Sequence, residues 1–194
     1  MRPFTEWRVY SRWRMSGRPI PAPPIVKQRI VKHEPRRYGL TTVVETGTFT
    51  GDMIAALLPL AQRLISIELD DRLFDAARRR FAAHPQVEIL HGDSATRLPP
   101  VVATLTQPAL FWLDGHYAGG GTARTQVASP ILQEIDTLLA HPVPGHHVLI
   151  DDARQFVGDD GYPTVEALEA LIRTRQPAAH FEVRDDIIRW VTCP

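Results

Sequence analysis

The chain has 194 residues, of which 44% are hydrophobic, and its 22 Lys and Arg residues balance its 22 Asp and Glu residues. This length and apolar content suit one globular domain, and the balanced charge gives no overall bias toward nucleic acid or a membrane surface. The one cysteine, Cys193, excludes a disulfide framework within the chain, and no stretch reaches the roughly 18 apolar residues of a membrane span.

The first 37 residues form a basic, proline-rich segment, which we separate from a domain over residues 38–194. Residues 1 to 23 are predicted to be irregular, and a short amphipathic helix is predicted over residues 25–34, ending near Pro35. A basic arm of this kind suits a solvated surface, a funnel for an anionic substrate or a nucleic-acid contact. We expect no nucleic-acid partner.

From residue 41 the pattern alternates between short β-branched runs and helical segments. The predicted strands are 41–45, 64–69, 87–91, 109–114 and 147–151, and the predicted helices are 51–61, 71–84, 129–141 and 164–175. Residues 180–191 predict two further strands around Asp185 and Asp186. The fold class is therefore α/β: a three-layer, Rossmann-like sandwich whose mostly parallel seven-stranded sheet ends in an antiparallel hairpin.

In such folds the ligand binds outside the carboxyl ends of the strands. The first strand ends in "VVETGTFTG", where Gly47 and Gly51 permit a tight turn and a close approach of the backbone to a ligand. The dinucleotide pattern G-x-G-x-x-G is absent, because Phe49 stands where its second glycine would be. Glu45 would repel phosphate and attract a cation or an amino group. An ordinary strand-to-helix turn is the alternative.

The next two strand ends also carry polar groups. Glu68 can accept hydrogen bonds from both hydroxyls of a ribose, or serve only as an acid near a helix N-terminus. Gly92 lets the chain turn, and Asp93 and Ser94 offer short polar groups for an adenine edge, or simply cap a short helix. Taken together, the three strand ends describe a nucleoside with a cationic, non-phosphorylated tail.

The motifs "VVETGTFTG", "ISIELD" and "ILHGDS" resemble those of class I S-adenosylmethionine-dependent methyltransferases, over about residues 38–194. The resemblance implies a methyltransferase sandwich that binds S-adenosylmethionine (SAM). It assigns cofactor-binding roles to Glu45, Thr46, Gly47, Thr48, Phe49 and Gly51 beside the methionine part, Glu68 and Leu69 at the ribose, Gly92, Asp93 and Ser94 around the adenine, and Asp114.

Three carboxylates follow the fourth and fifth predicted strands. If these strands are neighbours, Asp114 and the adjacent pair Asp151 and Asp152 crowd one place, and a divalent cation with oxygen ligands would relieve their repulsion. The pattern resembles metal-dependent O-methyltransferases of the catechol and macrolide-sugar types, which implies a Mg²⁺ site formed by these three residues. The alternative is that Asp114 contacts the cofactor and the pair caps the next loop.

The catechol type has a lysine general base three residues after its first metal ligand, where this chain has Tyr117. His116 titrates near neutrality and is one candidate base, although it could line the cofactor instead. Asp114 is the other candidate. The glycine-rich residues 118–126 are predicted to form a mobile loop over the site.

The expected function is SAM-dependent, metal-assisted O-methylation of a hydroxyl group on a small molecule or carbohydrate. The alternatives are a nicotinamide-dependent oxidoreductase and a non-catalytic cofactor-binding relative. We expect a cytoplasmic protein without a membrane partner. The sequence leaves open whether the protein forms a homodimer.

Overall fold

A seven-stranded sheet lies at the centre of the part of the chain that the computed structural model describes, residues 3–114 and 129–193. Its strands are β1 Thr42–Thr46, β2 Arg63–Glu68, β3 Val87–His91, β4 Leu110–Leu113, β5 His147–Ile150, β6 His180–Arg184 and β7 Ile187–Val191. Their order is β3-β2-β1-β4-β5-β7-β6. Strands β1 to β5 pair in parallel, and β7 pairs antiparallel with β5 and β6. The predicted sheet is confirmed.

Helices cover both faces of the sheet. Those within the described ranges are α1 Pro3–Met15, α2 Pro24–Val31, α3 His33–Tyr38, α4 Asp52–Leu57, α5 Asp71–Phe81, α6 Ser94–Val102, α7 Ile131–Ala140 and α8 Val165–Arg175. A 3-10 turn, Ala153–Gln155, follows β5. None of these helices is long and apolar enough to cross a membrane.

The alternation of side chains along each strand divides the core into two layers. Val43 of β1 belongs to one core cluster together with Ile54 of α4, and Val44 belongs to the other cluster together with Ile135 of α7. Successive side chains of a strand point to opposite faces, so a strand buried on both sides is apolar without a break. This is why the strands of the parallel sheet were visible as continuous hydrophobic runs.

The N-terminal segment is more helical than its sequence indicated. The expectation of irregular structure before residue 24 is wrong for α1, whose Trp13 is 4% exposed and packs against Ala22 and Val26. The helix predicted to stop near Pro35 is divided into α2 and α3, and Pro35 lies in the first turn of α3. A proline there removes no intrahelical hydrogen bond, because the first N–H groups of a helix have no partner within it.

Candidate functional site

The parallel pairing brings several strand ends to one edge of the sheet, which we call the carboxyl edge. Leu113 is in register with Ile150, so Asp114 and Asp151 leave adjacent strands side by side. The backbone N–H of Asp151 donates to Leu113 O at 3.0 Å, and that of Asp114 donates to Thr46 O at 3.0 Å. Strands β4 and β5 are neighbours, which was the condition for these carboxylates to crowd one place, and β1, β4 and β5 end together.

Glu68 ends β2 with a carboxylate that the backbone holds in place. Its Oε2 accepts from the N–H of Phe49 at 2.8 Å and its Oε1 accepts from the N–H of Asp70 at 2.9 Å. A carboxylate has about four acceptor positions, so two bonds leave room for the hydroxyls of a diol. The neighbouring Leu69 is half-buried, and its carbonyl contacts the His91 ring.

The loop after β1 depends on glycine. Gly47 and Gly51 have φ angles of 84° and 77°, in the region that disfavours L side chains. A Cβ on Gly51 would also lie 2.6 Å from Cε2 of Phe81. Between them Phe49 has a φ of 47° and a side chain that is 58% exposed. The loop therefore presents one uncovered apolar side chain next to Glu68.

Glu45 lies beneath this loop and is only 2% exposed. Burial raises the pKa of its carboxyl to about 8, the charge of Glu68 adds to the rise, and a hydrogen bond from Ser66 opposes it. That bond, from Ser66 Oγ to Glu45 Oε2, is 2.5 Å long, and Thr48 Oγ1 lies 2.6 Å from the same hydroxyl. Sequence reasoning treated Glu45 as a charged group. Its raised pKa means that a nearby cation would be needed to favour ionisation at neutral pH.

Gly92, Asp93 and Ser94 follow β3 and lead into α6. Asp93 caps α6, its Oδ1 accepting the N–H of Ala95 at 2.9 Å, and its role at the adenine stays a prediction. Gly92 turns the chain with a φ of 132°. Ser94 is buried at the start of the helix. Helix α6 is the short helix that the sequence offered as an alternative, and two prolines lie inside it.

Glu134 of α7 is a polar group that sequence reasoning missed. It is 1% exposed. Burial raises the pKa of Glu134 to about 7, and the hydroxyls of Ser94 and Thr46 act in the opposite direction. The sequence contained a signal for its burial, because Glu134 lies three residues after Ile131 and directly before Ile135, on the apolar face of its helix.

Asp151 and Asp152, the carboxylate pair, meet a lysine that the sequence gave no reason to place there. Lys27 Nζ of α2 donates to Asp151 Oδ2 at 2.5 Å and to Asp152 Oδ1 at 2.9 Å. The Asp152 N–H bonds Asp151 Oδ1 at 2.8 Å. Arg154 Nη1 bonds Asp152 Oδ1 at 2.8 Å, and Gln155 Nε2 bonds Asp152 Oδ2 at 3.2 Å. All four oxygens of the pair thus accept hydrogen bonds from the protein.

The predicted Mg²⁺ site is not confirmed by this arrangement. A lysine ammonium already lies between the two carboxylates, and no group of three His, Cys, Asp or Glu side chains in the described ranges is placed to hold a metal ion. Burial and the charge of Asp151 raise the pKa of Asp114 well above its ordinary value, against the effect of Lys27. As arranged, these residues do not fit a divalent ion.

Tyr162, from the connection between β5 and α8, is a second residue that sequence reasoning missed. It packs on Phe156 with their ring centroids 5.2 Å apart. Burial raises the pKa of its phenol, a hydrogen bond with Ser129 lowers it, and the charges of Asp152, Glu134 and Asp114 raise it further. Those charges indicate that Tyr162 lies at the carboxyl edge.

Two earlier predictions concern residues 115–128, which lie outside the described residues. These are the role of His116 as general base and the mobile loop over residues 118–126, and both stay predictions. Two histidines at the start of β5 make structural contacts: His146 accepts from the N–H of Ala109 at 3.0 Å, and His147 bonds Glu34 at 2.8 Å.

Comparisons with known proteins complete the description of the site. No family model matches the chain. Ribosomal RNA small subunit methyltransferase A of Dehalococcoides mccartyi (strain CBDB1) is 38% identical over 52 residues, which are 27% of this chain and 18% of that protein. The chain thus matches less than a fifth of that relative's length.

Two solved structures extend the likeness to the whole fold. The O-methyltransferase from Bacillus cereus, in complex with S-adenosylhomocysteine (SAH), has a TM-score of 0.66 at 15% identity and covers 100% of this chain and 92% of its own. The O-methyltransferase TomG from Streptomyces achromogenes, in complex with SAM, has a TM-score of 0.66 at 18% identity, covering 99% and 90%. The chain has the fold of the class I SAM-dependent methyltransferases. At these identities the likeness shows the fold alone.

Lys27→Met should destabilise this methyltransferase fold, because it leaves the buried charge of Asp151 without its nearest cation. We expect a loss of about 3 kcal/mol in the free energy of unfolding, the lower end for a broken buried ion pair. Urea denaturation followed by circular dichroism measures it. Adding Asp151→Asn to the variant should restore part of the loss, since the unpaired charge is then gone.

Lys32→Met is the matched control. Lys32 also makes a partly buried ion pair, with Glu6 at 2.9 Å, but away from the carboxylate pair. We expect it to cost about 1 kcal/mol or less, because Glu6 is more exposed than Asp151 and keeps Arg29 as a second cation. Equal losses for the two variants would contradict a special electrostatic role for Lys27 in stability.

Glu45→Gln should change how stability depends on pH. The folded-state pKa of about 8 lies above the ordinary value of 4.5, so the stabilising contribution of Glu45 is complete below pH 4.5 and is lost as pH rises to about 8. The variant lacks this loss, so its stability relative to the unchanged protein should increase from pH 5 to pH 8.5. Urea unfolding at both pH values measures the difference, and a constant difference would be the contrary result.

Proposed function

We propose that the chain is a SAM-dependent methyltransferase that transfers a methyl group to a hydroxyl of a small molecule or carbohydrate. The observation that carries the proposal is the Glu68 carboxylate, which the N–H groups of Phe49 and Asp70 hold at the end of β2 with acceptor positions left over. It lies beside a loop that lacks the second glycine of a pyrophosphate-binding turn.

The residues present fit SAM in three parts. Glu68 would accept from the ribose hydroxyls, and the segment from Gly92 to Ser94 would border the adenine. Glu45, buried and with a raised pKa, would face the positively charged end of the cofactor, which would favour its ionised form. When bound, SAM supplies an activated methyl group on a sulfonium. A nicotinamide cofactor would offer Glu45 no comparable charge near this loop.

The chain itself must position the acceptor and remove its proton. Asp114 at the tip of β4 is our candidate base, because it ends beside Asp151 at the carboxyl edge, where burial and Asp151 raise the pKa of its carboxyl. His116 is the second candidate from the sequence. Tyr162 borders the same place and would contact the acceptor.

Transfer to oxygen is supported by the likeness of the fold to the O-methyltransferases of Bacillus cereus and Streptomyces achromogenes. RNA is not proposed as the substrate, because the match to an rRNA methyltransferase covers 27% of the chain. Metal assistance is left out of the proposal, because the oxygens of Asp151 and Asp152 are all taken by protein donors.

The proposal predicts tight binding of SAH and no binding of NAD, measured by isothermal titration calorimetry. Glu68→Gln should weaken SAH binding by about 1–3 kcal/mol, roughly 5- to 150-fold, since a charged acceptor is lost. Glu88→Gln, an exposed substitution on the neighbouring β3, serves as the control and should bind as before. Binding of NAD without any response to SAH would refute the proposed function. An unchanged affinity in Glu68→Gln would remove Glu68 from the site.

A further inference from the structure

We propose that the ammonium of Lys27 takes the place of a divalent cation at the carboxylate pair, so that Lys27 and a metal ion exclude one another. The proposal rests on the proposed function in one respect, its consequence for catalysis: methyl transfer at this site would need no divalent metal. The binding of metal ions can be tested without reference to methyl transfer.

The first step of the argument is the charge that must be compensated. Asp151 is 1% exposed, and Asp152 follows it directly with a left-handed backbone, φ 55°. Two adjacent carboxylates repel one another, and burial makes the repulsion costly unless a cation lies close to both. Lys27 Nζ meets that condition, at 2.5 Å from one carboxylate and 2.9 Å from the other.

The second step concerns the space available to a metal ion. Mg²⁺ binds carboxylate oxygens at about 2.0–2.1 Å, and bridging this pair would bring it against Asp151 Oδ2 and Asp152 Oδ1. Those are the two oxygens that Lys27 bridges. The remaining oxygens, Asp151 Oδ1 and Asp152 Oδ2, accept from a backbone N–H and from Gln155. A metal ion could enter only by displacing the lysine, and Arg154, which also bonds Asp152 Oδ1 at 2.8 Å, would have to move away from that oxygen.

The third step is that buried residues of α2 hold Lys27 in position beside the carboxylate pair. Val26, the residue before Lys27, is 0% exposed in a cluster with Trp13 and Ala22. Val31, at the end of α2, is 0% exposed and belongs to the core layer of Val43. The helix is therefore anchored on both sides of Lys27, whose side chain is only 16% exposed.

The last step is what the ammonium can do for an acceptor. A lysine ammonium has three N–H donors, and the carboxylate pair takes two of them among the described contacts. The third can donate to the acceptor oxygen and stabilise the negative charge that develops as its proton leaves. Lys27 would thus orient the acceptor and supply positive charge, two tasks that a divalent ion performs in metal-dependent sites.

The experiment measures Mn²⁺ binding by electron paramagnetic resonance and melting temperature with and without Mg²⁺, on the whole chain. The unchanged protein should bind no Mn²⁺ at this site and should not respond to Mg²⁺. Lys27→Met and Lys27→Gln remove the ammonium from the pair, so these variants should bind Mn²⁺ at this site, about tenfold or more above the detection limit set by the unchanged protein, because carboxylate oxygens suit both ions. Mg²⁺ should then raise their melting temperature.

Two controls separate this site from general effects. Lys32→Met removes another partly buried lysine, paired with Glu6, and should gain no Mn²⁺ binding. Adding Asp151→Asn to Lys27→Gln should abolish the binding that the lysine variant gained. Lys27→Gln keeps an N–H donor and carries the test if Lys27→Met does not fold.

Two results would overturn the proposal. One is Mn²⁺ binding to the unchanged protein that Asp151→Asn removes, which would show that metal and lysine coexist. The other is the absence of Mn²⁺ binding in both lysine variants, which would show that Lys27 does not occupy a site for a divalent cation. Titration of the same samples with SAH keeps the two proposals apart, because loss of SAH binding concerns the cofactor site and not the carboxylate pair.

Discussion

Two adjacent carboxylates are buried at the end of β5, and the surrounding elements supply the positive charge that their burial requires. Asp151 and Asp152 are compensated from two separate elements, Lys27 of α2 and Arg154 of the 3-10 turn. Arg154 also pairs with Asp186 in the turn between β6 and β7. The N-terminal helices, the central sheet and the final hairpin therefore meet at one electrostatic cluster, although their hydrophobic contacts belong to different layers of the core.

The same edge of the sheet holds carboxyl groups whose charge is suppressed. Burial raises the pKa of Glu45 to about 8 and that of Glu134 to about 7, and it raises the pKa of Asp114 as well. Such shifts concentrate at functional sites, since burying an acid without a partner is unfavourable for folding alone. The parallel sheet produces this concentration, because it ends neighbouring strands together and leaves their last side chains to share one small volume.

Hydrophobic pattern predicted the sheet because the strands are buried on both faces, and the turn at Asp185 and Asp186 predicted the final hairpin. Local signals also placed Asp114 and Asp151 at strand ends, and the pairing of β4 with β5 brings them side by side. Lys27 could not be found in this way, since its contact with Asp151 spans 124 residues and nothing near it in the sequence marks it. Helix α1 was missed because its order depends on Trp13 packing against Ala22 and Val26, a tertiary contact.

The suppressed charges connect stability to ligand binding. Carboxyl groups whose pKa is raised on folding bind more protons at neutral pH in the folded state than in the unfolded chain, so their contribution to stability falls as pH rises. A cationic ligand near Glu45 would favour the ionised carboxylate and bind only the folded state, so it would recover stability by mass action. Lys27 already provides such compensation at the carboxylate pair through a covalently attached cation. The two halves of the carboxyl edge thus differ in the source of their positive charge: at Asp151 and Asp152 it belongs to the chain, and at Glu45 it must arrive with the ligand.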